Sequence, residues 1–70
     1  MKKLFDKLIV IAEKLQEEIE RREEIFYDRS EKWQDGEKGE IYSDKTAELE
    51  DVLNSVDEAK DNFELFLNLN

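Results

Sequence analysis

The chain has no cysteine, no histidine and no proline, and its seventy residues include only two glycines. Each absence closes a class of chemistry. Without cysteine no disulfide can staple the fold, and no thiolate is on hand for catalysis or for metal. Without histidine, Ser30, Ser43, Thr46 and Ser55 have no imidazole base to activate them. A metal site would have to be built from carboxylates alone, which suits zinc or copper poorly. No catalytic residue, cofactor or metal ligand is therefore assigned from the sequence.

Long apolar runs are missing too. No segment approaches the ~20 residues of a membrane-spanning helix, so no membrane span is expected. The opening stretch MKKLFDKLIVIAEK has the outline of a secretory signal. Asp6 and Lys7 interrupt its apolar run, however, Glu13 closes it, and no small-residue cleavage site follows. Together with the lack of cysteine, this points to a cytoplasmic protein.

Charge is abundant and one-sided. Charged residues make up 44% of the chain and the formal net charge is −9. Direct binding to nucleic-acid phosphates needs a basic surface and is excluded on that ground. Residues 1–10 are net basic, and residues 41–70 carry most of the acid excess.

Apolar residues step at three and four along Leu8, Ala12, Leu15, Ile19, Phe26 and Trp33, with Arg22 and Arg29 or Ser30 filling the gaps. Strong helix formers occupy most other positions. The pattern predicts a first helix over residues 2–34, roughly 50 Å long at 1.5 Å per residue. Asp35, Gly36 and Gly39 supply turn chemistry, so a bend is expected over residues 35–40, with Gly36 in the left-handed conformation and Asp35 or Ser43 as the next cap. A second stripe, Tyr42, Thr46, Leu49, Leu53, Val56, Ala59 or Lys60, Phe63 and Leu67, predicts a helix over residues 41–67. No segment alternates with period two, so the expected fold class is all-α, a single antiparallel two-helix hairpin.

The stripes match where paired positions sum to 75: Trp33 with Tyr42, Phe26 with Leu49, Ile19 with Val56, Ala12 with Phe63 and Leu8 with Leu67. Arg22 then falls opposite Leu53, its head reaching Glu18, Glu50 or Asp57. Two helices cannot enclose a core, and a chain this short is marginal by itself. The open end is apolar all round at Leu8, Ile9, Val10 and Ile11, with Leu65, Phe66 and Leu69 beside it. These residues are the expected oligomer interface, and a homodimer forming a four-helix bundle is the simplest cover.

Other constellations resolve into surface. The carboxylate pairs Glu17-Glu18, Glu23-Glu24, Glu50-Asp51 and Asp57-Glu58 lack the pocket that acid/base catalysis needs. An EF-hand counted from Asp35 fails, with Glu40 where glycine is required and Thr46 where a bidentate glutamate is required. At the hairpin tip, Arg29, Trp33 and Tyr42 are either a recognition patch or the closure of the core.

The run Arg29-Ser30-Glu31-Lys32-Trp33-Gln34, then Glu37-Lys38-Gly39, Tyr42, Lys45-Thr46 and Leu49-Glu50, resembles a motif of small uncharacterised bacterial and phage helical-hairpin proteins. Gly36 stands where such relatives would carry a capping serine. The resemblance covers about a third of the chain and implies the hairpin fold and a phage or prophage origin, but no activity. The second arm presents Glu50, Asp57, Glu58, Asp61 and Glu64 for contact with a protein partner. Carboxylates on a rigid helix can imitate a nucleic-acid backbone and attract a basic cleft. The functional expectation is a non-enzymatic acidic interaction protein, of the phage accessory or inhibitor type. The alternative is a structural or adaptor bundle whose acids only keep it soluble.

Overall fold

A computed structural model of the chain describes residues 1–68. Three helices follow one another: α1 (Lys2–Asp28), α2 (Glu31–Asp35) and α3 (Glu37–Asn68), with no strand among the described residues. The all-α expectation holds. α1 and α3 pack side by side as the long arms, and α2 packs on α3 at the bend. The result is a rod of 55 × 14 × 11 Å with a radius of gyration of 16.1 Å, against about 11 Å for a compact chain of this length.

The first arm stops earlier than its periodicity suggests. Arg29 leaves the helix in an extended conformation, and the Ser30 hydroxyl accepts from the Trp33 backbone N–H at 3.2 Å. Serine with Glu31 in the first turn is an N-cap signature that starts a new helix without glycine or proline. The Gln34 amide then donates to the Arg29 carbonyl at 2.8 Å, satisfying backbone that α1 leaves open. The chain therefore turns over residues 29–36, and the bend expected at 35–40 is largely helical. Gly36 is extended, at φ −84° and ψ 178°, and neither glycine has positive φ. Asp35 ends α2 and Ser43 lies inside α3, so neither caps the second arm. Gly39 sits in the first turn of α3, where a methyl group would run into the carbonyl oxygens of Trp33 and Gln34. Its value is the closeness of two backbones.

Both long helices follow one heptad, written abcdefg. In α1 the a positions are Phe5, Ala12, Ile19 and Phe26, and the d positions are Leu8, Leu15 and Arg22. In α3 they are Gly39, Thr46, Leu53, Lys60 and Leu67 (a) and Tyr42, Leu49, Val56 and Phe63 (d). Every one of these is buried or half-buried, whereas elsewhere in the two helices only Ile9, Glu18 and Asp57 are. Ile19, at 3% exposure, is the best-buried apolar side chain among them.

The register differs from the expected one by one heptad. Arg22 bonds Thr46 and Phe5 stacks on Phe63, and each pair of numbers adds to 68 where 75 was expected. Phe26 is level with Tyr42, Ile19 with Leu49, Ala12 with Val56, and Leu8 with Lys60. The expected pairs of α1 with α3 are displaced because a seven-residue slip maps each stripe onto itself. Only the position of the turn and the polar contacts discriminate. Trp33 does meet Tyr42, at 5.7 Å between ring centroids, but from α2.

Candidate functional site

The polar contacts near the bend fix that register. The Arg22 Nε donates to the Thr46 hydroxyl at 2.9 Å, and a terminal guanidinium nitrogen donates to the Tyr42 carbonyl at 3.2 Å. Thr46 in turn donates to the same carbonyl at 3.1 Å, and the guanidinium lies 4.1 Å over the Tyr42 ring. The arginine head thus meets a hydroxyl, a carbonyl and an aromatic face in place of the carboxylates expected for it. A polar group in a helical seam specifies register by being satisfied in one alignment only.

Beside this lock, Tyr27, Phe26, Trp33 and Tyr42 form a chain of edge-on rings at 5.5, 6.0 and 5.7 Å. Arg29 covers Trp33 at 4.5 Å. The tip residues Arg29, Trp33 and Tyr42 accordingly pack against the bend, and Trp33 and Tyr42 are half-buried.

The two arms run in opposite directions, so moving the same way around each helix leads to the same side of the hairpin. Positions e of both arms share one side and positions g share the other. A groove of about 280 Å³ confirms the first grouping, since Glu23 and Tyr27 line it together with Ser43, Ala47 and Glu50. This e side gathers Asp6, Glu13, Glu20 and Glu23 from α1 with Glu50, Asp57, Asp61 and Glu64 from α3. All but Asp57 are exposed. Four of the five acids expected to meet a partner therefore share a face, while Glu58, at position f, points directly away. Asp57 is partly engaged, 3.8 Å from Lys60.

The α1 acids of this face could not be placed from the sequence. Their side depends on knowing that the arms are antiparallel and in which heptad phase they pack. Among the described residues no three carboxylates converge as a metal site.

No protein-family model matches the chain, and neither curated proteins nor solved structures yield a match. The functional reading rests on the faces themselves.

The g side has the opposite character. Leu4, Ile11 and Ile25 of α1 and Val52 and Phe66 of α3 leave 39–50% of their surface exposed. Lys7, Lys14 and Arg21, at position c, flank the α1 row. The Arg21 guanidinium bonds Glu18 at 3.0 Å, and that hydrogen bond and charge raise its pKa further above neutrality. Of the residues expected at the oligomer interface, Ile11 and Phe66 lie on this side. Leu8 is in the seam, Ile9 is on the acidic side, Val10 and Leu65 point outward, and Leu69 falls outside the described residues. No helix among the described residues is long and apolar enough to cross a membrane.

Proposed function

We propose that the chain is a non-enzymatic, cytoplasmic interaction protein, a homo-oligomer that offers its carboxylate-rich side to a basic cleft on a partner protein. Nucleic acid is what such a cleft would otherwise hold, and the acidic side stands in for its backbone. The partition of charge carries this reading. Carboxylates of both arms gather on the e side and continue onto the outward edges at Glu17, Glu24, Asp44, Asp51 and Glu58, leaving the g side poor in acids. Glu50, Asp57 and Glu64 repeat at heptad spacing, roughly 10 Å along the helix. A solubilising charge has no need to be partitioned. The phage origin rests on the motif resemblance alone, and the accessory or inhibitor role on analogy with small acidic phage proteins. Electrostatic attraction between exposed groups is screened beyond about 8 Å at physiological ionic strength. Capture of a partner from a bacterial lysate should therefore collapse in high salt, be competed by nucleic acid, and be lost in a Glu50→Lys, Asp61→Lys, Glu64→Lys variant.

The exposed apolar g side favours a second reading, an adaptor bundle that joins other helices through that side. Partner capture that persists in high salt and survives the triple variant would select it.

A further inference from the structure

We infer that the g side is covered by a second copy of this chain, related by a two-fold axis parallel to the helices, so that α1 of each copy lies against α3 of the other. This rests on the homo-oligomer reading and adds to it which side is buried and how the copies are turned.

Three observations carry it. First, beyond a and d the g row is apolar at Leu4, Ile11, Ile25, Val52, Ala59 and Phe66 and is interrupted by Glu18, Lys38 and Lys45. That pattern is wider than a two-helix seam requires and matches a helix with two neighbours. Ile11 and Phe66, 46% and 47% exposed, belong to that third row. Second, the face is large enough. It runs the 55 Å length of the rod, which gives room for the extended contact that a stable interface of about 800 Å² per partner needs. Third, the charges choose the orientation. With the axis across the helices, α1 would lie on α1 and the Lys7, Lys14 and Arg21 rows would face each other. With the axis along the helices, that row faces Glu48, Ser55 and Asn62 at position c of the partner's α3, a row with one acid and no base, while Arg21 and Glu48 keep their own-chain partners Glu18 and Lys45. Such an axis leaves every level along the rod unchanged, so Arg21 is level with the partner's Glu48 and Lys14 with the partner's Ser55. The e sides, where like charge would oppose association, remain outward on opposite flanks of the bundle.

The full chain in sedimentation equilibrium should give twice the 8.4 kDa chain mass. Ile11→Lys should weaken association at least tenfold, while Ile9→Lys, two residues away on the other side, should leave it within about twofold. Because the chain lacks cysteine, disulfide trapping reads the orientation directly. A mixture of Lys14→Cys and Ser55→Cys chains should form the mixed disulfide at least tenfold faster than Lys14→Cys forms a disulfide with itself. A monomeric mass at high concentration overturns the homo-oligomer reading and this inference together. A dimer broken by Ile9→Lys and not by Ile11→Lys, or one that links Lys14→Cys to itself, overturns the inference alone. Circular dichroism of each variant separates loss of association from loss of helix.

Discussion

The acidic and apolar sides are made by the same two helices, and residues two apart can belong to opposite ones, as Ile9 and Ile11 do. The seam between the arms is common to both, so its packing cannot explain why they differ. What separates them is the choice at positions e and g. In an antiparallel pair that choice is made once per helix and reinforced by the other arm. Acids at e and b on α1 meet acids at e and b on α3; at g, Leu4 and Ile11 meet Phe66 and Ala59, and only Glu18, Lys38 and Lys45 interrupt the apolar rows. A modest bias in each helix becomes a strong difference between the faces. The g row borders the seam without being enclosed by it, which is why Leu4, Ile11, Ile25, Val52 and Phe66 remain 39–50% exposed in a single hairpin.

The largest expected effect comes from removing what the two sides share. Ile19→Ala should cost about 2–5 kcal/mol in denaturant unfolding, because its side chain is the best buried in the seam. It should weaken both faces alike, and a loss below about 1 kcal/mol would mean that the seam is elsewhere. Next, Ile11→Ser should lower stability by about 1.5–3 kcal/mol where the g side is covered. Dilution should shrink that difference, because association stabilises by mass action. A penalty independent of concentration would place Ile11 within the single hairpin. Arg22→Met keeps the stem but removes the lock, at about 1–3 kcal/mol. Spin labels at Glu13→Cys and Asn54→Cys should then show a second distance population, since a heptad slip moves one arm by roughly 10 Å. A single sharp distance would show that the turn alone sets the register. The smallest effect belongs to the acidic side. Glu50→Gln, Asp61→Asn and Glu64→Gln should each change stability by less than about 0.5 kcal/mol in thermal unfolding, and a larger loss would make those acids structural.

The helices and their inward stripes were legible in the sequence because the three-and-four spacing needs no tertiary information. Register was not, since a sequence with heptad periodicity fits its partner at every seventh offset. Two local features carried the missing information. Ser30 starts a helix where the apolar rhythm runs on unbroken, and Thr46 offers Arg22 a hydroxyl that Leu53 could not. Gly36 and Gly39 drew attention to the wrong segment, because glycine marks both a turn and a close backbone approach. The acidic face was half legible, with its α3 residues named and its α1 residues hidden until the arms could be placed side by side.

The tight elbow between α2 and α3 has a kinetic consequence. Closing a chain between Phe5 and Phe63 costs more entropy than closing it between Arg22 and Thr46, and the contact of Gly39 with Trp33 and Gln34 costs least. Folding should therefore start at the elbow and travel outward, fixing Arg22 on Thr46 before the interchangeable apolar repeats meet. The order protects the alignment, because a hairpin that closed first at its open end would sample wrong offsets freely. Gly39→Ala should slow refolding in stopped-flow experiments by about as much as it destabilises the protein, whereas Phe63→Leu should act mainly on the unfolding rate. Equal partitioning of the two variants between folding and unfolding rates would show that the rod closes without a preferred starting point.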